Sequence, residues 1–425
     1  MSKLVSPQLG IAAGILAENT VTKRLVFHIG GYDPITSPDF ARQRFVREFA
    51  RFQHTWSVKA LVEDFRDGPD QRQWSVTTTG PNWRVQTDYH LIRWDDVIDS
   101  FRDRATGTRL ALGIVAFWDF VFAGALWAYF RANWGYAAFF LYPYVTFGLL
   151  ILTTLSICIL TFKISGSVPV AIGVGFLGFI AVLAGPWRWL HISSLFDDWI
   201  FSREYVRWGN STIEKRLDKL ATELVAAARN SDADEILIVG HSLGAALAVD
   251  LLDRALKLDN ALGRRKIPLT LITIGSSILK IGLHRAATRF RATVERVAVS
   301  PGIFWGDYQA RIDLMNFYNC QPMAEMGLSV ENEPVVRLVE IGRMLEHATY
   351  RRFRLDFFRL HCQFVSGNDK RASYDYFMLV CGPVSARSQT LDANGAVSMI
   401  GEDGALMPAR LSVVEPLSAR RLDRK

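Results

Sequence analysis

The stretch that decides the fold is EILIVGHSLGAALAVD, which spans residues 235–250. Its first part, Glu235–Val239, is short and apolar after the first residue, and this pattern predicts a buried strand. Ala245–Leu256 is strongly helix-forming and predicts a helix. Between the two lies Gly-His-Ser-Leu-Gly, residues 240–244, which matches the pattern G-x-S-x-G. The chain is therefore expected to turn sharply from a strand into a helix at Ser242.

This pattern is typical of a serine that acts as a nucleophile. On a tight strand-to-helix turn the hydroxyl projects from the sheet, and glycine is needed two positions before and two positions after to avoid a collision. Amides at the start of the following helix can stabilise an oxyanion. A glycine-rich turn without catalysis is the alternative, but the strand before and the helix after Ser242 favour a nucleophile.

Predicted strands and helices alternate on both sides of this turn. Strands are predicted at 24–29, 74–79, 89–92, 269–274, 296–299 and 376–380, and helices at 38–67, 95–101, 212–228 and 336–346. Such alternation predicts an α/β protein with a mostly parallel sheet and helices on both faces.

The segment Ile236–Asp250 resembles the nucleophile elbow of the α/β-hydrolase fold, in its lipase-like branch. The likeness covers about 24–100 and 205–383. It implies a first oxyanion amide from Leu243, and a second from the loop after an early strand, here His28–Tyr32 (HIGGY). Either Gly31 or Tyr32 would supply that second amide, because the loop departs from the usual His-Gly pair. A simple strand-ending turn is the alternative for this loop.

In this family the serine is followed by an acid and then by a histidine. Asp313 and Asp307 are both candidates for the acid, and the run from Asp313 to an Asn-Phe pair favours Asp313. Only His347 and His361 lie beyond them. His361 is favoured as the base, since it precedes the last predicted strand, whereas His347 lies in or at the end of a predicted helix. The implied chemistry is acyl transfer through an acyl-enzyme, with no cofactor and no metal.

A block with almost no charge, 110–187, interrupts the α/β pattern. Two apolar runs within it, about 137–162 and 164–186, are long enough to cross a membrane as helices. They predict a transmembrane hairpin that turns near Lys163–Ser167. The run at 110–131 contains Asp119 and several Trp and Tyr residues, which favours a helix in the plane of the interface. The alternative is three spanning helices with a re-entrant piece around 187–201. An even number of crossings is required if both soluble halves form one domain.

Charge predicts the orientation and the partners. The net charge is +7, and arginines flank the block on the domain side, whereas the hairpin turn offers only Lys163. By the positive-inside rule the domain faces the cytoplasm, in a bacterial inner (cytoplasmic) membrane. No nucleic-acid motif occurs, so anionic lipid headgroups are the simpler partner. The four cysteines include no CxxC pair, which suits a reducing compartment. A weak signal peptide at Leu9–Ala17 is the disfavoured reading.

The predicted organisation follows from these patterns. Residues 1–108 and 189–383 form one α/β-hydrolase domain, 109–188 form the membrane insertion, and 384–425 form a hairpin-like segment and a basic tail. The expected function is a membrane-anchored serine hydrolase that cleaves acyl esters, with membrane lipids and an acyl ester, possibly a lipid, as partners. Alternatives are a thioesterase, a peptidase or an acyltransferase on the same triad, an inactive scaffold, and a transporter component. The sequence makes no prediction of the oligomeric state.

Overall fold

The computed structural model describes residues 20–32, 38–185 and 190–408. The described residues divide into two compact units, one drawn from Met1–Asp95, Ser211–Gly282 and Ala287–Lys425, and one drawn from Asp96–Asn210 and Leu283–Ala286. The second unit includes more of the sequence than the predicted insertion of 109–188. The weak signal peptide and the basic tail of the sequence-based reading lie outside the described residues.

The first unit is built on an eight-stranded sheet in which only one strand, β3, runs against the other seven. The spatial order is β2-β3-β4-β1-β5-β6-β7-β8. The predicted α/β class with a mostly parallel sheet is therefore confirmed. The strands are β1 (Lys23–Ile29), β2 (Lys59–Asp67), β3 (Gln71–Thr79), β4 (Arg84–Ile92), β5 (Glu235–His241), β6 (Leu269–Ile274), β7 (Ile303–Ala310) and β8 (Val335–Val339).

Helices account for most of the remaining regular structure and are numbered along the chain. They are α1 (Pro38–Trp56), α2 (Asp95–Arg102), α3 (Thr106–Phe122), α4 (Ala125–Ala132), α5 (Trp134–Ser165), α6 (Val168–Ala184), α7 (Ile192–Arg207), α8 (Ser211–Asn230), α9 (Gly244–Leu258), α10 (Ile278–Gly282), α11 (Thr288–Val299), α12 (Pro322–Glu325), α13 (Ile341–Met344), α14 (His347–Phe353), α15 (Phe357–Cys362), α16 (Tyr376–Cys381) and α17 (Ala386–Leu391).

Strands from both sides of the apolar block lie side by side in the sheet. β1 pairs in parallel with β4 and with β5, so that Val26 lies opposite Tyr89 on one side and Leu237 on the other. Because β5 follows the block in the sequence, the two halves form one sheet, as predicted. If the block crosses a membrane, it must therefore cross an even number of times, so that both halves of the sheet lie on the same side.

Helix α1 packs through the aromatic positions that the sequence spacing predicted. Its buried residues are Phe45, Phe49, Phe52 and Trp56. The helix nevertheless ends at Trp56, whereas the prediction extended it to residue 67. Ser57 has a φ of 55°, a left-handed conformation that stops a helix, and the chain then forms the edge strand β2.

Three predicted elements of the second half are wrong. Residues 296–299 end helix α11, whose buried Phe290, Val294 and Val297 follow a helical spacing, and the strand is β7 instead. Residues 376–380 lie in helix α16, which the Asp375 carboxylate caps by accepting from Met378 N at 3.0 Å. The predicted helix at 336–346 is wrong in its first part, because Val335–Val339 forms strand β8 and pairs with β7, and only Ile341–Met344 is helical, as α13.

The segment after Pro383 begins with helices, and its hairpin-like pairing among the described residues is confined to a short turn between Ile400 and Leu406. It contains α17 and a 3-10 helix at Gly395–Ser398. Its described residues form two isolated antiparallel bridges, one between Val384 and Thr20 and one between Ile400 and Leu406.

In the second unit, α5 and α6 form a helical hairpin that turns at 166–167, within the turn predicted from the sequence. Gly175 allows a close approach, since a Cβ atom there would lie 3.2 Å from Cys158 Cβ. Many large apolar side chains of α5 and α6 are exposed, such as Ile164 and Leu177. Among the described residues α5 is the one helix long and apolar enough to cross a membrane, and α6 is a shorter apolar helix.

The predicted single helix at 110–131 is two helices, α3 and α4, which part at Gly124, a residue with a φ of 77°. The Asp119 carboxylate of α3 forms ion pairs with Arg203 and Arg207 of α7. Its charge is thus compensated inside the unit. Phe122 and Trp127, in contrast, are 79% and 71% exposed.

Candidate active site

The centre of the site is the turn between β5 and α9. Ser242 occupies it with a φ of 56°, a left-handed conformation that is rare for a residue with a side chain. Backbone hydrogen bonds fix this conformation, because Ser242 N donates to Ile274 O at 3.0 Å while Ser242 O accepts from Ala245 N and Ser277 N. Such strain is typical of functional positions that the surrounding structure holds in place.

The two glycines of the G-x-S-x-G pattern are required by close backbone contacts. A Cβ atom on Gly240 would lie 2.5 Å from Ala245 Cα, and one on Gly244 would lie 2.2 Å from Ile29 O. Helix α9 can therefore start directly against β5 and the end of β1 only if both positions lack a side chain. This is the collision predicted from the sequence.

The loop after β1 lies against the serine. A Cβ atom on Gly31 would be 2.7 Å from Ser242 Cβ and 3.2 Å from Ser242 Oγ. Trp94 holds the loop by donating from Nε1 to Gly30 O at 3.1 Å, and its ring packs edge-on against Tyr32. Gly31 is thus beside the hydroxyl from one side, and Leu243 heads helix α9 on the other.

Asp313 and His361 form a buried hydrogen-bonded pair, although 48 positions separate them in the sequence. His361 Nδ1 donates to Asp313 Oδ2 at 2.7 Å. The other carboxylate oxygen accepts from Met315 N at 2.8 Å, and Asn316 ties the turn by donating to Ala310 O and Asp313 O. Since Nδ1 carries the proton, Nε2 of His361 presents a lone pair, as a general base requires.

His361 also lies at the serine turn. Its ring packs on that of His241, the residue before Ser242, with the centroids 4.6 Å apart. A Cβ atom on Gly275 would lie 3.0 Å from His361 Cε1, and Gly275 directly follows the residue that accepts from Ser242 N. Nε2 of His361 is buried and has no hydrogen-bond partner among the described residues.

The two alternative candidates are elsewhere. Asp307 lies inside β7, where its carboxylate accepts from Thr273 Oγ1 at 2.5 Å and from Gln309 Nε2 at 2.7 Å. Burial raises the pKa of Asp307 to about 6. His347 is exposed at the start of α14. The structure therefore brings together Ser242, Gly31, Asp313 and His361, and leaves Asp307 and His347 apart from them.

Two features near the site were not predicted from the sequence. Burial holds the pKa of His241 well below its usual range, so the His241 ring packs as a neutral group. Behind the loop after β1, the Tyr376 hydroxyl lies 2.9 Å from His28 Nδ1 and 2.5 Å from the Tyr89 hydroxyl. Burial lowers the pKa of His28 to about 3. In the sequence these residues look like ordinary strand and helix positions, because only the packing joins them.

The described residues contain no group of three or more His, Cys, Asp and Glu side chains that could hold a metal ion. No protein-family model, curated protein or solved structure matches the chain. Its class therefore has to be argued from the geometry of Ser242, Asp313 and His361.

Proposed function

We propose that this protein is a membrane-anchored serine hydrolase of the α/β-hydrolase, lipase-like class, which cleaves acyl esters. The observation that carries the proposal is the 2.7 Å hydrogen bond from His361 to Asp313, formed beside a serine on a strained strand-to-helix turn. Ser242, Asp313 and His361 also follow one another in the chain order that this class uses. The loop after β1, in contact with the serine, supports the same reading.

The reaction would begin with proton transfer from Ser242 Oγ to His361 Nε2. Oγ then forms a bond to the acyl carbon, and the carbonyl oxygen becomes an oxyanion. When the intermediate collapses, the bond to the alcohol breaks and His361 gives its proton to the leaving oxygen. Water next attacks the acyl carbon of the acyl-enzyme, with His361 again taking the proton. When this second intermediate collapses, the bond between Ser242 Oγ and the acyl carbon breaks, His361 returns the proton to Oγ, and the acid product leaves. Asp313 keeps the imidazole in the required tautomer and stabilises it when charged.

Two backbone amides are suited to stabilising the oxyanion. Leu243 follows the serine at the start of α9, where the helix dipole adds a partial positive charge. Gly31 is the better candidate for the second amide, since it lies beside Ser242 Oγ, and Tyr32 is the alternative. Each such donor is worth about 100- to 1,000-fold in turnover.

Membrane attachment is proposed for the α5–α6 hairpin. α5 meets the length and hydropathy expected of a spanning helix, and both helices expose large apolar side chains. A hairpin returns the chain to its starting side, which agrees with the single sheet formed by the two halves. The flanking arginines favour the cytoplasmic side of a bacterial inner membrane for the hydrolase unit. Lipid esters are then the substrate class within reach.

The experiment is hydrolysis of a soluble p-nitrophenyl ester by the full chain in detergent. Ser242→Ala and His361→Ala should lose turnover, whereas the matched control His347→Ala, at an exposed histidine away from the turn, should keep it. A thioester and an added acceptor alcohol, tested in parallel, distinguish thioesterase and acyltransferase activity. Folded wild-type protein that turns over none of these would instead favour an inactive scaffold.

A further inference from the structure

An arginine-rich surface precedes the histidine of the site in the sequence. It comprises Tyr350–Arg359, the end of α14, the turn after it and the start of α15. The segment contains four exposed arginines and a single carboxylate, Asp356, which is used to cap α15 by accepting from Arg359 N at 3.0 Å. The arginines are Arg351, Arg352, Arg354 and Arg359.

None of these four arginines forms an ion pair with a described residue. Two of them lie instead on an aromatic ring, since the guanidinium of Arg359 is 3.6 Å and that of Arg352 is 5.9 Å from the centroid of Phe353. Their charges remain exposed to solvent. An uncompensated positive surface of this kind attracts an anionic partner.

Apolar side chains accompany these charges. Leu355, in the turn, is 89% exposed, the largest exposure among the large hydrophobic residues described. Phe357 and Phe358 are half-buried at the start of α15, with their rings 4.6 Å apart. Exposed leucine and aromatic rings between arginines fit the boundary between headgroups and acyl chains, where the charges meet phosphate and the apolar groups enter the bilayer.

We propose that Tyr350–Arg359 docks on an anionic lipid bilayer. The choice of a bilayer rather than an acidic protein rests on the proposed membrane anchorage of the same chain. Helix α15 then has two roles, since its outer residues contact headgroups while its buried His361 serves the site one turn further on. Docking would present the acyl-ester site to lipid rather than to water.

The test follows docking by fluorescence, without any need for turnover. The full chain, with Cys158→Ser and Cys362→Ala, carries an environment-sensitive NBD label on Leu355→Cys and is placed in lipid nanodiscs. One set of discs contains phosphatidylcholine alone, and the other an equal mixture with phosphatidylglycerol. The matched control carries the label on Val299→Cys, an exposed apolar position that precedes the amino end of β7, whereas Tyr350–Arg359 comes after the carboxyl end of the parallel strand β8.

The label at position 355 should shift to the blue and gain intensity in the anionic discs only, and high salt should reverse the change. Each arginine near an anionic surface contributes about fivefold to the ratio of docked to undocked protein, so Arg351→Gln with Arg354→Gln should lower this ratio about 25-fold. The label at position 299 should respond to neither lipid.

Identical emission in both kinds of disc, or a response that survives the two substitutions, would overturn the docking proposal. In the first case an acidic protein becomes the partner to seek. Thermal unfolding of each variant shows whether it is folded. A folded wild-type protein that hydrolyses no ester, while the label at position 355 still responds to anionic discs, would contradict the proposed function and leave the docking proposal standing. Failure of the one proposal can therefore be distinguished from failure of the other.

Discussion

Gly31 offers a sharp test of the site, because its neighbour in the sequence provides the control. A Cβ atom at Gly31 would lie 2.7 Å from Ser242 Cβ, whereas one at Gly30 meets nothing within 4 Å. Gly31→Ala therefore forces the loop and the serine apart, while Gly30→Ala adds the same methyl group to open space. The two variants carry the same chemical change at neighbouring positions, but only the change at Gly31 introduces a contact with Ser242.

The expected loss of rate in Gly31→Ala follows from the distance between the added Cβ atom and Ser242 Cβ. Carbon atoms in contact stay about 3.5–4.0 Å apart, so the 2.7 Å separation from Ser242 must open by about 1 Å. A misplacement of about 1 Å at reacting groups costs about 100-fold in rate. This corresponds to about 2.7 kcal/mol of transition-state stabilisation. The cost to folding should be no more than about 1–3 kcal/mol, as for other overpacked positions.

The assay is steady-state hydrolysis of a soluble p-nitrophenyl ester, with thermal unfolding measured on the same samples. Gly31→Ala should lower kcat about 100-fold with little change in KM, and Gly30→Ala should keep both within a factor of a few. If Gly31→Ala is folded and as active as Gly30→Ala, the loop after β1 is not part of the site. Equal loss in both variants would indicate a general effect on the loop and refute the argument from contact.

Three further results are expected. Asp313→Asn should lower kcat about 10,000-fold by removing the acceptor that fixes the imidazole tautomer, whereas Asp307→Asn should leave kcat nearly unchanged. Because the folded pKa of Asp307 is raised, from 3.8 to about 6, ionisation of Asp307 destabilises the folded state as pH rises through that window. Urea unfolding between pH 4 and 7 should show a fall of roughly 2 kcal/mol in the free energy of unfolding from this group, absent in Asp307→Asn. In the second unit, Gly113→Ala would put a Cβ 2.4 Å from the Phe196 ring and should lower the free energy of unfolding by about 1–3 kcal/mol, while Gly107→Ala meets nothing and should be neutral or stabilising.

The parts of the fold that were predicted from the sequence have a strong local signal. The turn at Ser242 requires glycine at positions 240 and 244, because a side chain at either position would collide with the backbone. The sequence pattern therefore predicts the turn directly. The aromatic residues of α1 repeat at helical spacing because one face is buried. The hairpin of α5 and α6 follows from long runs without charge. In each case neighbouring residues alone determine the outcome.

The elements that were predicted wrongly depend on tertiary contacts. Every residue of α16 is buried, so its sequence YFMLVC has no periodicity that separates a helix from a strand. β8 is a strand because β7 offers it a parallel edge, which no local pattern reveals. Arg296–Val299, the end of α11, was predicted as a strand because four residues alone are too few to show the helical spacing.

The candidate site was predicted through chain order rather than geometry. Asp313 and His361 were favoured by resemblance to a family, and the structure joins them by a hydrogen bond. The supports of the site had no such signal. Trp94 reaches Gly30 O from another strand end, and His241 packs on His361 from across the turn. Residues such as Trp94 and His241 support the site through contacts between distant parts of the chain, so the sequence alone did not identify them.

The most direct test of the central claim is reaction of the detergent-solubilised full chain with a fluorophosphonate probe, followed by mass spectrometry of the adduct. The account predicts a single modified residue, Ser242, with labelling abolished in Ser242→Ala, strongly slowed in His361→Ala and unchanged in His347→Ala. Folded wild-type protein that does not react, or labelling that persists in Ser242→Ala, would contradict the assignment of an activated serine at this turn.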